Sequence, residues 1–201
     1  MNPQIGIIGA GEIGLAFTRQ FLKAGYSVTL SNSRGAESLT GLAKELGGRA
    51  RAGTVQEAAA APIVVLSVPW KHLTQALAGL PPWEGRIVVD TANPIITPGF
   101  TIANLDGRTS SEVVADLVPG ARLVKAGNTL PPELVEADPR VGNGRRVLFL
   151  SGNDTDAKAT VSRVLEKVGF ATVDLGGLVA GGKLQQFPGG PLPALNLIKL
   201  S

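Results

Sequence analysis

The run Gly9-Ala10-Gly11-Glu12-Ile13-Gly14 constrains this chain more than any other feature. It follows the apolar segment Gln4 to Ile8 without a break and opens an amphipathic stretch from about Ile13 to Ala24, which Gly25 ends. GxGxxG spacing alone is a weak signal. Directly after a strand and directly before a helix, it has the context its mechanism requires. Gly9 permits the tight turn, Gly11 lets the backbone approach a pyrophosphate, and Gly14 allows close helix–strand packing. The N–H groups of the helix start face the phosphates. A turn that merely needs small residues is the competing reading, and it leaves that context unexplained.

Strand and helix patterns alternate beyond this point. Ser27 to Leu30 reads as a second strand, Ala36 to Leu46 as a helix, and Arg49 to Ala52 as a short strand after the Gly47-Gly48 stop. Ile63 to Val68 is an unbroken apolar run, expected of a parallel strand buried on both faces and ended by Pro69. Further strands are expected at Arg86 to Asp90, Arg122 to Lys125, Arg146 to Ser151 and Thr172 to Asp174. Helices are expected at Leu73 to Ala78, Ser111 to Leu117 and Thr155 to Val168. The alternation predicts an α/β fold, a Rossmann-type doubly wound and mostly parallel sheet. Residues 1–201 are expected to form one dinucleotide-binding domain without a separate helical dimer domain. The Gly/Pro-rich tail from Leu175 to Pro193 is too apolar for a flexible linker, so residues 175–201 are expected to fold back over the substrate site.

Composition narrows the function. No apolar run reaches the roughly 20 residues that span a bilayer, no signal-peptide pattern opens the chain, and the net charge of +3 is scattered rather than gathered in a basic block. Membrane and nucleic-acid partners are therefore not expected, and a cytoplasmic location is. Without cysteine there are no disulfides or thiolate nucleophiles. No metal-ligand cluster, Ser-His-Asp set or Walker-type loop is recognisable.

Sites that prefer NAD usually carry an acid about 20 residues beyond the glycine turn, at the end of the second strand. Here the chain reads Ser31-Asn32-Ser33-Arg34-Gly35. Hydroxyl, amide and guanidinium donors suit the 2'-phosphate, which Arg34 can grip bidentately, so NADP(H) is the expected cofactor. In a Rossmann sheet, ligands lie beyond the carboxyl ends of the strands. That rule turns Val68-Pro69-Trp70-Lys71-His72 and Asp90-Thr91-Ala92-Asn93-Pro94 toward the cofactor. Trp70 either walls the nicotinamide pocket or packs as a core aromatic, and Asn93 either positions the cofactor or simply forms an Asn-Pro turn. Val68, Pro69, Trp70, Ala92 and Asn93 join the cofactor-binding set. Asn128, Thr129 and Leu130, beyond the next strand, are expected beside a substrate, with Trp70 and His72.

Candidates for proton relay are few. His72 is the single histidine, an acid or substrate contact on one reading and a solvated or capping residue on the other. Tyr26, the single tyrosine, precedes the second strand, away from the ligand face. Lys71 and Lys125 are also available, the first with the solvent-facing position usual for lysine.

With these residues in view, the chain resembles the coenzyme F420-dependent NADP reductase family over nearly its whole length. The resemblance rests on Gly9 to Gly14, Ser31 to Gly35, Val68 to His72 and Asn128-Thr129-Leu130-Pro131. It implies hydride transfer between NADPH and a deazaflavin, the Ser/Arg loop on the 2'-phosphate, the deazaflavin near the C-terminal segment, and a homodimer. Two features depart from the family pattern: Gly127, where a larger residue often stands, and the tail from Gly181 to Pro191. The related six-transmembrane ferric reductases pass hydride to flavin, so FMN, FAD or another small molecule is an alternative acceptor to F420. Imine and hydroxyacid reductases share the N-terminal half but append a long helical domain. Because deazaflavin chemistry asks mainly for the positioning of two rings, no catalytic side chain is assigned. The alternative from another class is an NADP(H)-binding redox sensor without turnover.

Overall fold

Runs rich in Ile, Val and Leu form the centre of one sheet because strands covered on both faces need apolar side chains on both. The computed structural model describes residues 2–200, so Met1 and Ser201 of the expected domain lie outside the described residues. β1 (Ile5–Ile8) leads into α1 (Glu12–Lys23), followed by β2 (Val28–Ser31), α2 (Thr40–Leu46), β3 (Ala50–Ala52), α3 (Val55–Ala59) and β4 (Ile63–Leu66). Next come α4 (Leu73–Leu77), β5 (Ile87–Asp90), the hairpin strands β6 (Ile95–Ile96) and β7 (Thr101–Ile102), α5 (Ser110–Leu117) and β8 (Arg122–Ala126). The chain continues through α6 (Pro132–Glu136), β9 (Arg140–Val141), β10 (Gly144–Gly152), α7 (Thr155–Val168), β11 (Ala171–Asp174), α8 (Leu178–Gln185) and β12 (Ile198–Leu200).

The main sheet runs β11-β10-β8-β5-β4-β1-β2-β3, with β9 and β12 also paired to β10. From β3 to β8 every pairing is parallel, while β10 runs antiparallel to β8. Strand order reverses between β1 and β4, which puts the switch point beside the glycine turn. The expected Rossmann-type α/β fold is present, and no separate helical domain is evident among the described residues. Ile5, Ile7, Val65 and Val89 pack with Phe17 and Phe21 of α1 and with Val161 and Leu165 of α7. On the opposite face Ile8, Val64, Leu66 and Val88 meet Ala58, Leu73, Val114 and Leu178. Full burial of each such aliphatic side chain contributes about 1.5–3 kcal/mol.

Several boundaries differ from expectation. The expected strand Ile63 to Val68 ends at Leu66. Ser67 still donates to the Ile8 carbonyl, but Val68 and Trp70 turn into the second apolar layer. The expected helix Ala36 to Leu46 is split, with a 3₁₀ turn at Ala36–Leu39, where the Ser38 hydroxyl bonds back to the Gly35 carbonyl at 2.7 Å. α8 was not expected, since glycine is a poor helix former. Its Gly181 and Gly182 instead allow close packing: a Cβ at Gly181 would overlap Ser151, and one at Gly182 would press on Thr109.

α5 starts with a capping box. The Glu112 carboxylate accepts the Thr109 N–H at 2.7 Å and the Thr109 hydroxyl at 2.9 Å, and Glu112 N–H donates to that hydroxyl. The Thr109 backbone bond, followed by its hydroxyl, holds the Glu112 carboxyl below its ordinary 4.5. Stability from this lowered carboxyl is fully present above the ordinary value and is lost as pH falls through the folded one. Thr109→Ala is expected to cost about 1 kcal/mol in urea unfolding at neutral pH. Glu112→Gln should flatten the acid limb of the stability profile measured between about pH 6 and 3.

Candidate functional site

The glycine turn divides by cause. Gly9 has φ +105°, and a Cβ there would overlap the Ser67 carbonyl oxygen; a Cβ at Gly14 would overlap the Gly9 carbonyl oxygen. Both glycines are demanded by packing, one of the turn on β4 and the other of α1 on the turn. Gly11 is different. Its φ of −84° and ψ of −173° suit any residue, and a Cβ there would meet nothing within 4 Å. Gly11 is also the N-cap of α1 and is exposed with Glu12, so the first-turn N–H groups of Glu12, Ile13 and Gly14 have no side-chain cap. Such an exposed cradle fits a phosphate.

At the end of β2 the expected set separates. Ser31 is fully buried and its hydroxyl donates to the Ile7 carbonyl at 2.9 Å, which makes it part of the strand rather than a free ligand group. Asn32 orders the loop: its Oδ1 accepts the Arg34 N–H at 2.9 Å and its Nδ2 reaches Ser38 at 3.0 Å. Ser33 and Arg34 are exposed, and the Arg34 guanidinium has no partner among the described residues. Val68, Trp70 and Ala92 send their side chains into the apolar layer beneath, while Pro69 is exposed.

Beyond β5 and β8 lies a cavity of about 330 Å³. Ile13 of α1, Thr91 and Asn93 after β5, residues 127–132 after β8, and Phe187, Pro193 and Ala194 of the tail line it, without one ionisable side chain. The tail is held there by Ala194 N–H on the Thr129 carbonyl at 2.8 Å. An amide chain fixes the polar edge. Asn93 and Asn128 bond reciprocally at 3.0 and 2.9 Å, and Asn128 Nδ2 also donates to the Gln185 carbonyl at 2.7 Å. Gln185 Nε2 donates to Asn128 Oδ1 at 3.2 Å, and its Oε1 accepts from Ser151 at 2.7 Å. Gln185 escaped sequence reasoning because nothing local marks a buried glutamine.

The expected substrate set Trp70, His72, Asn128, Thr129 and Leu130 is therefore divided. Asn128, Thr129 and Leu130 line the cavity, and Leu130 is also core. Trp70 instead lines a separate groove of about 360 Å³ with Leu73, Thr74 and Asp106, because the 3₁₀ turn Trp70–His72 carries it toward α5. His72 and Lys71 are exposed. Lys125 is fully buried, with its Nζ 3.2 Å from Asp90 and donating to the Ala92 carbonyl at 2.8 Å. Asp90 also accepts from Ser111 at 2.6 Å and from Ala92 N–H at 2.9 Å, so this pair shapes the turn before Asn93. At Gly127, φ is +72° and the Phe17 ring occupies the place of a side chain, which explains that departure from the family pattern.

Residues 4–94, the glycine turn and the Arg34 loop included, match the family described as NADP oxidoreductase, coenzyme F420-dependent. This stretch, a little under half of the chain, is similar to that family of NADP-dependent oxidoreductases. A hypothetical protein from Sinorhizobium meliloti superposes with a TM-score of 0.92 at 45% identity, over 99% of this chain and 96% of its own. A reductive aminase from Aspergillus terreus, solved with NADPH and ethyl levulinate, gives 0.65 at 25% identity, over 92% of this chain and 58% of that one. Metalloreductase STEAP3 of Rattus norvegicus is 29% identical over 193 residues, 96% of this chain but 38% of the relative. This chain thus spans less than two fifths of that curated relative's length. No helix among the described residues is long and apolar enough to cross a membrane.

The two kinds of glycine can be separated by experiment. Gly14→Ala should lose about 1–3 kcal/mol of unfolding free energy through overpacking. Gly11→Ala should stay within about 0.5 kcal/mol of the native protein while weakening NADPH binding in a fluorescence titration.

Proposed function

We propose that this chain is an NADP(H)-dependent oxidoreductase that moves hydride between NADPH and a flavin-like carrier such as coenzyme F420. One observation carries the reading: Ile13, in the first turn of α1, also walls the uncharged cavity, so the phosphate cradle and a ring-sized space adjoin. In this reading residues Gly9 to Gly14 take the pyrophosphate, and Ser33 and Arg34 take the 2'-phosphate, with Asn32 and Ser31 shaping their loop. The backbone of Val68 to Trp70 and of Ala92 borders the cofactor, with Asn93 at the junction. Asn128, Thr129 and Leu130 receive the acceptor under the tail.

NADPH, when bound, supplies the hydride. The chain's own task is to bind the phosphates, orient two rings face to face and exclude water, and an uncharged wall suits that task. The aminase solved with NADPH supports the choice of donor, and the family match supports a deazaflavin as carrier.

Stopped-flow mixing with NADPH should show its oxidation by F420 or by FMN, FAD or riboflavin. Binding of NADPH with no oxidation by any of the four would replace the enzyme with a redox-sensing module. Arg34→Ala should lower the NADPH-over-NADH preference about tenfold or more, the scale of a lost charge-assisted bond. An unchanged preference would remove Arg34 from the 2'-phosphate site.

A further inference from the structure

Four polar side chains line the cavity, and three of them are already committed. Thr91 donates to the Leu66 carbonyl at 3.0 Å, and Asn93 and Asn128 bond to each other. Thr129 differs. The residue is 4% exposed and its carbonyl is taken by Ala194 N–H, yet its hydroxyl has no partner among the described residues. The fully buried side-chain atoms left without a partner among those residues are Arg86 Nε and Ser110 Oγ, so the Thr129 oxygen keeps some accessible surface, on a residue that lines the cavity. A hydroxyl held within an apolar wall has a strong preference for a partner.

We infer that the Thr129 hydroxyl is the specificity-determining contact of this cavity, and that its ligand is an uncharged planar ring presenting one hydrogen-bonding edge, a carbonyl oxygen or ring nitrogen, to it. The inference rests on the hydride-transfer reading and names its acceptor class. With no ionisable group in the wall, a charge on the ring itself would go uncompensated, so any phosphate or carboxylate of the acceptor lies outside. Apolar contact from Ile13, Leu130 and Phe187 supplies the rest of the ring's environment. Donating to an edge that gains electron density as hydride arrives, Thr129 also favours transfer.

Thr129→Val keeps the side chain's shape and removes the oxygen, while Thr129→Ser keeps the oxygen. Riboflavin fluorescence is titrated against each full-length protein saturated with NADP, together with NADPH affinity. The native protein should bind riboflavin, Thr129→Val should bind it about tenfold more weakly, and Thr129→Ser should recover most of the loss, all with NADPH affinity unchanged. Equal riboflavin affinity in the native protein and Thr129→Val, or no riboflavin binding by the native protein, overturns the inference. Thr129-dependent riboflavin binding without NADPH oxidation by any carrier would instead overturn the hydride-transfer reading alone. Where turnover is seen, Thr129→Val should raise KM for the acceptor or lower kcat while leaving KM for NADPH in place.

Discussion

The carbonyl oxygens of Ser67 and Gly9 lie where side chains would stand at positions 9 and 14, and that close approach sets the start of α1 directly over the carboxyl ends of β1 and β4. The open N-terminus of α1, its empty space at Gly11 and the position of Ile13 in the cavity wall all follow from it. Phe17, one turn further along α1, then occupies the place of a side chain at residue 127, so the helix also sets the path of the chain after β8. The cradle and the cavity depend on these close contacts of α1 and its glycine turn.

Buried polar groups maintain the other walls. The Lys125–Asp90 pair is fully enclosed, and breaking such a pair leaves an uncompensated charge at a cost of about 3–5 kcal/mol. Its bonds to Ala92 and Ser111 spread that constraint over the turn leading to Asn93. The amide chain Asn93–Asn128–Gln185–Ser151 then ties the β5 and β8 loops to α8 and β10. Each member is satisfied only while the others are in place, which gives the cavity's polar edge a single arrangement.

Much of this organisation was legible along the chain because it repeats at short range. Strand periodicity, the turn before α1 and the missing acid near Arg34 are local signals, and the parallel sheet, the cradle and the unpaired guanidinium correspond to them. Less legible were the roles of side chains whose neighbours are distant. Ser31 reads as a phosphate ligand by position, yet its hydroxyl is taken by Ile7. Lys125 reads as a possible proton donor, yet Asp90 holds it in the core. Trp70 and Asn128 read as neighbours because both follow strands, but a single 3₁₀ turn sends the tryptophan to another groove.

The sequence by itself determined the class of sheet, the glycine turn and the basic loop, because each depends on residues within one strand-turn-helix unit. Tertiary structure alone decided that α8 forms through Gly181 and Gly182, since packing against Ser151 and Thr109 outweighs their poor helix propensity. It alone decided that the tail closes on Thr129 through Ala194, and that the Thr129 hydroxyl is left unpaired while its neighbours are bonded. Those outcomes join residues dozens of positions apart, and no local pattern records which of several similar polar side chains will find a partner when the chain closes.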